Sequence, residues 1–225
     1  MVRPIPLQFG AHYHVFNRGN NRENLFFEER NYRHFLRLYA KYVLPVVDTY
    51  AYCLLPNHFH LLIRVKLEEE QQTQTFGVSL GQPDVSTRVP GTGNKAARAA
   101  SKTPKVLSPS RQFAHCFNAY SKAVNKAYNR TGSLFERPFQ RIAVTSDAYF
   151  MQLVVYIHRN PQKHGLVDDF RDWPYTSYHS LLSTKPTHLR RQDVLGWFDG
   201  QAGLEARHRE EMQEAKIGAL LLDDL

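Results

Sequence analysis

The sequence is poor in cysteine, holding only Cys53 and Cys116 among 225 residues. A small fold stapled by disulfides is thereby excluded, and no Cys-x-x-Cys spacing offers a structural zinc site. Cys53 sits in an apolar run, where a cysteine behaves as a small buried hydrophobe. Any run of 18 apolar residues is also missing, and residues 1–16 are broken by prolines and polar side chains where a signal peptide needs an apolar centre. A soluble, cytoplasmic chain with no membrane partner is the expectation. Acid is absent from one long stretch, since residues 88–111 carry six basic side chains and no Asp or Glu.

What is present is an uneven excess of positive charge. The net charge is +8, yet residues 199–225 hold seven acids against three bases, so residues 1–198 carry about +12. A basic body with 12% aromatic residues suits a polyanion: Lys and Arg neutralise phosphates while rings stack on unpaired bases. A basic protein with no nucleic-acid partner has the same composition, so the motifs must decide.

The stretch around which the chain is organised is 50–65, Tyr-Ala-Tyr-Cys-Leu-Leu-Pro-Asn-His-Phe-His-Leu-Leu-Ile-Arg-Val. Pro56 and Asn57 supply a turn between two strands, the first spanning about 46–55. In the second, alternation puts His58 and His60 on one face and Phe59 and Leu61 on the other. Paired imidazoles on one face suggest a metal site, although strand histidines also serve as hydrogen-bonded surface residues. A second pair, His12 and His14, lies in the predicted strand 11–18 and competes for the same role. Beyond it, Arg18 and Arg22 flank a Gly-Asn loop from which they can meet phosphates.

Helical spacing of Tyr32, Phe35, Leu36, Tyr39 and Val43 predicts a packing helix over 29–43, ended by Pro45. Residues 67–110, polar, repetitive and then basic, read as a flexible insert whose low apolar content does not offset the entropy of ordering it. A further helix is predicted over 111–130, with Lys122, Lys126 and Arg130 forming a basic ridge that suits phosphates or merely solvates a face. A strand over 137–145 precedes a helix over 147–160, which Ser146 caps and Pro161 stops. A last helix is predicted over 202–222. The order predicts an α+β fold of the ferredoxin-like class, a four-stranded antiparallel sheet with helices packed on one face.

Tyr156 and Asn160 stand four apart, one turn from each other on the same side of that helix. A tyrosine hydroxyl ionises near pH 10 and attacks a phosphodiester poorly unless a cation withdraws charge and a scaffold holds the oxygen in line. Two imidazoles and an amide oxygen would leave a divalent ion open positions for phosphate oxygens.

Three motifs in order resemble the REP-associated tyrosine transposases of the HUH single-strand nucleases. They are Tyr13-His14-Val15-Phe16-Asn17-Arg18-Gly19, then Leu55-Pro56-Asn57-His58-Phe59-His60-Leu61-Leu62, then Tyr156-Ile157-His158-Arg159-Asn160-Pro161 followed by His164-Gly165-Leu166-Val167. Trp173-Pro174-Tyr175-Thr176-Ser177-Tyr178 is similar to a further element of that family, so the resemblance spans roughly 11–178. It implies Mg²⁺ or Mn²⁺ held by His58, His60 and Asn160, with Tyr156 as nucleophile. His12 and His14 fall to supporting or DNA-facing places. It also implies cleavage and rejoining of single-stranded or hairpin DNA, from repeat palindromes or element ends, through a 5′-phosphotyrosine. The enzyme would be nucleoid-associated, and monomer or homodimer.

The expected organisation is a catalytic domain in two parts, 1–66 and 111–180, separated by the insert 67–110 and followed by an acidic helical extension, 181–225. Two other readings stand beside it. One is a binding factor on the same fold that no longer cleaves. The other is a metallohydrolase using His12, His14, His58 and His60 with water as nucleophile.

Overall fold

The computed structural model describes residues 5–75 and 106–210. Four antiparallel strands, β1 (His12–Arg18), β2 (Val47–Leu54), β3 (His58–Val65) and β4 (Gln140–Val144), form one sheet in the order β2-β3-β1-β4. The expected α+β fold with a four-stranded antiparallel sheet is present. The hairpin of β2 and β3 turns at Pro56 and Asn57, where Leu55 N–H donates to the His58 carbonyl at 2.8 Å.

Alternation along β3 sorts its side chains between two covered faces. Phe59, Leu61, Ile63 and Val65 join Tyr13 and Val15 in one core, while Leu62 joins Ala51 and Cys53 in another. A strand buried on both sides needs apolar residues at successive positions, which is why Leu61-Leu62-Ile63 interrupts simple alternation.

The first face takes α1 (Glu29–Tyr42) and α3 (Pro109–Ala127), which pack on each other. A capping box between Glu28 and Asn31 starts α1, and Tyr32, Phe35 and Tyr39 form its buried stripe. Pro109 opens α3, where its missing N–H costs nothing, and Phe113, Phe117, Tyr120 and Val124 bury its inner side. The second face is covered as well, by α4 (Asp147–Lys163) together with α5 (Tyr178–Leu182), α6 (Arg191–Trp197) and α7 (Gln201–Arg209). Lying between sheet and C-terminal helices, α4 buries residues nearly all the way round, from Phe150 through Asn160.

The helix does not stop before Pro161 as the sequence predicts, but runs on to Lys163. Pro161 lies in the final turn, where it removes one donor, and the turn closes through His164 N–H to the Asn160 carbonyl at 3.0 Å. That extra turn brings Lys163 and His164 up to the sheet. Of the predicted helix over 202–222, α7 ends at Arg209 with Glu210 extended (φ −66°, ψ 146°), and residues 211–222 lie outside the described residues. Of the polar stretch 67–110, residues 76–105 also lie outside them. Its near end forms α2 (Glu68–Thr75), and Leu107 N–H donates to Gln71 Oε1 at 3.1 Å, tying the two ends together.

Residues 173–178 close the exposed side of β2. Leu54 N–H donates to the Tyr175 carbonyl at 2.9 Å, Ser177 N–H to the Tyr52 carbonyl at 3.0 Å, and Trp173 Nε1–H to the Leu54 carbonyl at 2.9 Å. Tyr175 stacks on Tyr32 with centroids 3.6 Å apart and planes 4° from parallel, a contact contributing about 0.5–1.5 kcal/mol beyond its area. An edge so padded offers no template for pairing with another chain.

Candidate active site

The sheet face that carries His12, His14 and Phe16 on β1 also carries His58 and His60 on β3, because directly paired residues share a face. Phe16 pairs with His60 and Arg18 with His58. His14 Nε2 lies 2.9 Å from His60 Nδ1, and both rings are fully buried. Burial, with the nearby His164 and Lys163 adding to it, pushes His60 down to about 3, so its ring is neutral at neutral pH.

Hydrogen bonding bears on the ring tautomers. Asn57 Oδ1 can only accept, so His58 donates from Nδ1 at 2.7 Å and its ring lone pair lies on Nε2. For His60 the bond to His14 can run either way, and where His60 Nδ1 is the donor the lone pair lies on Nε2. This is the arrangement a metal-ligating histidine needs, one nitrogen oriented by a donor bond and the other presenting a lone pair.

Helix α4 brings its stripe of Tyr156, Asn160 and His164 against these rings. The Tyr156 ring centroid is 5.6 Å from His60 and 6.3 Å from His14, both edge to face. At the other end, His164 lies 4.9 Å from His58. Asn160 stands one turn from each, between the contacts its neighbours make with the two histidines. Its Nδ2 donates to the Tyr156 carbonyl at 3.1 Å, while its Oδ1 is buried and has no hydrogen-bond partner among the described residues. A buried acceptor left so costs free energy unless a cation or donor meets it. Imidazole nitrogens and an amide oxygen are donor types that a divalent ion takes with positions left open.

Position separates His12 from the other histidines. His12 lies in an aromatic cage of Tyr50, Phe150 and Trp197, with Nε2 3.4 Å from the Tyr50 hydroxyl. The four histidines therefore do not form one centre, and among the described residues no cluster of three or more His, Cys, Asp or Glu side chains has metal-binding form. The reading as a four-histidine hydrolase fails on that placement.

Beside His58 opens a cleft of about 740 Å³, lined by Arg18, Arg22, Asn24, Glu136, Gln140 and His164 among others. Arg18 Nε donates to Glu136 Oε1 at 2.8 Å, which aims its guanidinium along the cleft wall. Arg22 follows Asn21 in the left-handed region, with φ of 60° and 55°. Gly19, at the base of this loop, has no room for a side chain, since an added Cβ would come within 1.9 Å of the Glu23 carbonyl oxygen. The basic ridge divides. Helix α3, with exposed Lys122 and Lys126, packs on the opposite face of the sheet, and Arg130 beyond its end pairs with Glu23.

The sequence assigned no site role to Asn57, Glu136, Lys163 or His164, although Asn57 and His164 stand within the quoted motifs. Lys163 places its ammonium 5.6 Å from the Tyr156 ring centroid. For His164 a signal exists, since it continues the four-residue spacing of Tyr156 and Asn160, but only the unexpected last turn makes that spacing a face.

No family model matches the chain. Over 132 residues it is 26% identical to a Haemophilus influenzae protein named as a REP-associated tyrosine transposase, a match covering 59% of this chain and 59% of that relative. A solved structure of a REP-associated tyrosine transposase bound to a REP hairpin shares the fold, with a TM-score of 0.51 over 83% of this chain and 88% of that one at 15% identity. The chain is thus similar to a protein of that name in sequence, and to a solved one in fold. Among the described residues no helix is long and apolar enough to cross a membrane.

Proposed function

We propose that this chain is a tyrosine transposase of the REP-associated kind, a metal-dependent enzyme that cleaves and rejoins single-stranded DNA beside a hairpin. The observation that carries this reading is the meeting of Tyr156 with His60 at 5.6 Å between ring centroids, from elements almost a hundred residues apart. The named relative and the hairpin-bound structure of like fold support it.

His58 Nε2, His60 Nε2 and Asn160 Oδ1 would hold Mg²⁺ or Mn²⁺, which when bound supplies charge withdrawal from the scissile phosphate. Mn²⁺, more tolerant of imidazole than Mg²⁺, suits the two nitrogens better. The Tyr156 hydroxyl oxygen forms a bond to phosphorus as the bond from phosphorus to the 3′ oxygen breaks. Its proton leaves the phenol, and the departing 3′ oxygen takes one up. The products are a 5′-phosphotyrosine and a 3′-hydroxyl, and attack by a 3′-hydroxyl on that linkage reverses the step without an external energy source.

Rigid placement is this chain's contribution. Burial of the Tyr156 ring against His14 and His60 restricts its rotamers, and a well-oriented attack replaces much of the entropic cost of a bimolecular one. Arg18 and Arg22, in the cleft next to His58, would neutralise phosphates of the bound strand. Tyr156 reaches the histidines of its own chain, so a single copy carries every group the reaction uses. The test is incubation with hairpin oligonucleotides and Mn²⁺. A covalent protein–DNA adduct that chelation prevents supports the proposal, and equal hairpin binding with and without metal but no adduct would favour a silent binding factor.

A further inference from the structure

Behind the tyrosine helix, on the side away from His60, lies a chain of buried hydrogen bonds that the proposed chemistry does not use. His208 on α7 has Nδ1 2.7 Å from the Leu204 carbonyl, and Nε2 2.8 Å from His158 Nδ1 on α4. His158 Nε2 lies 2.7 Å from Ser177 Oγ, which in turn accepts from Tyr52 N–H at 2.9 Å. All three side chains are at most 2% exposed.

With both rings neutral, the direction of every bond follows from one end, and the Ser177 proton serves the 2.7 Å contact with His158 rather than the 3.3 Å one with the Tyr52 carbonyl. A carbonyl only accepts, so His208 Nδ1 carries a proton and its Nε2 accepts from His158 Nδ1–H. His158 Nε2 must then accept, and Ser177 Oγ–H donates. Each nitrogen of both rings is satisfied once, with both rings neutral. Ser177 is fully buried and is not among the residues lining the cleft beside His58.

We infer that this chain of hydrogen bonds is the lock that fixes the rotation and height of the Tyr156 helix over the histidine strand, and that His208 is a positioning residue for strand cleavage. The inference rests on the transposase reading. Its physical basis is that α4 packs on the sheet largely through apolar contacts, which are non-directional, while the bonds made by Arg159 and Gln162 lead to the C-terminal segment and to Phe170 rather than to β2. His158, two residues from Tyr156 and from Asn160, ties the helix through Ser177 to the backbone of Tyr52, whose neighbour Cys53 pairs with His60. The tyrosine and the histidine strand are thus referenced to the same piece of β2. His208 completes the lock from the far side, and Arg159 adds a bond from its guanidinium to the His208 carbonyl at 3.3 Å. The described part of the C-terminal extension is on this account a working part of the catalytic unit.

The test uses the full chain, a hairpin oligonucleotide and Mn²⁺, with three variants. His208→Leu keeps volume but removes both bonding nitrogens, His208→Gln keeps an acceptor for His158, and Ser177→Ala cuts the other end. His208→Leu is expected to unfold cooperatively and to bind the hairpin within about two-fold of the parent. Its single-turnover adduct formation should fall by about tenfold or more, since small misplacements are costly to an in-line attack. His208→Gln should recover most of that rate. A leucine variant reacting at the parent rate, or a glutamine variant no better than leucine, would overturn the inference. If His208→Leu does not fold, Ser177→Ala must show the same split between binding and rate. Amide exchange over 153–160 needs no reaction, and should quicken about tenfold in His208→Leu as the helix loosens; unchanged exchange would overturn the lock. A parent chain that forms no adduct would instead remove the transposase reading, leaving exchange to decide the lock.

Discussion

His14 and His60 meet ring to ring across the two central strands, Nε2 of one 2.9 Å from Nδ1 of the other, at centroids 5.1 Å apart. A histidine whose only role was to fill the core would be replaced by phenylalanine with little effect on the metal. If His14 orients His60, His14→Phe lowers Mn²⁺ affinity by about 10–100-fold, and His14→Gln, which keeps an acceptor, lowers it less. Calorimetric titration with Mn²⁺ checks this, and equal affinity in all three proteins would contradict it.

Asn160 gives a second handle on the same centre. Its Oδ1 is the buried acceptor without a hydrogen-bond partner among the described residues, so Asn160→Leu should cut metal-dependent cleavage by about 100-fold or more while hairpin binding persists. Asn160→Asp, which adds charge at the same place, should tighten Mn²⁺ binding. Cleavage rates at saturating metal, measured beside hairpin affinity, separate the ligand role from a purely structural one.

The loop after β1 is held by close approach. With a Cβ at Gly19 only 1.9 Å from the Glu23 carbonyl oxygen, Gly19→Ala must displace backbone next to Arg18 and Arg22. A loss of about 1–3 kcal/mol in urea unfolding is expected, together with weaker hairpin binding. Unchanged stability would show that the loop relaxes freely.

Acid should weaken the packing of α7 on α4 before it protonates most carboxylates. Burial pushes His208 down to about 4, partly offset by its bond to the Leu204 carbonyl and reinforced by Arg159, and burial with His208 and His179 nearby lowers His158 further. Tyr178 and Phe170 also face His208, and neither supplies a charge at these pH values. Because the folded protein keeps these rings neutral, the unfolded chain binds more protons below pH 6.5. Stability is therefore full above that value and falls as pH drops from 6.5 towards 4, by about 1 kcal/mol per pH unit for each ring. Urea midpoints across this window give the slope, and His208→Gln should flatten it.

The sheet and three of its helices were legible in sequence because β1 and β3 are apolar, aromatic-rich runs bounded by turn residues, and α1 carries the aromatic stripe of Tyr32, Phe35 and Tyr39. The histidine pair of β3, Tyr156 and Asn160 were also legible, through motif order and the four-residue spacing. Three features were not. Pro161 reads as a stop because a proline is expensive inside a helix, yet in the last turn it is tolerated, and His164 becomes visible only after that. The side of the sheet on which Lys122 and Lys126 lie depends on which layer α3 joins, a fact of packing that local spacing does not carry. Likewise His158 and His208, fifty residues apart, look like unrelated helical histidines until α7 docks.

The account turns on Tyr156. Mixing the protein with a labelled hairpin oligonucleotide and Mn²⁺, then mapping any covalent adduct by peptide mass spectrometry, tests it most directly. The predicted result is a single phosphotyrosine at Tyr156, absent in Tyr156→Phe although that variant still binds the hairpin. An adduct that persists in Tyr156→Phe, or metal-dependent cleavage with no protein attached to the 5′ end, would contradict it.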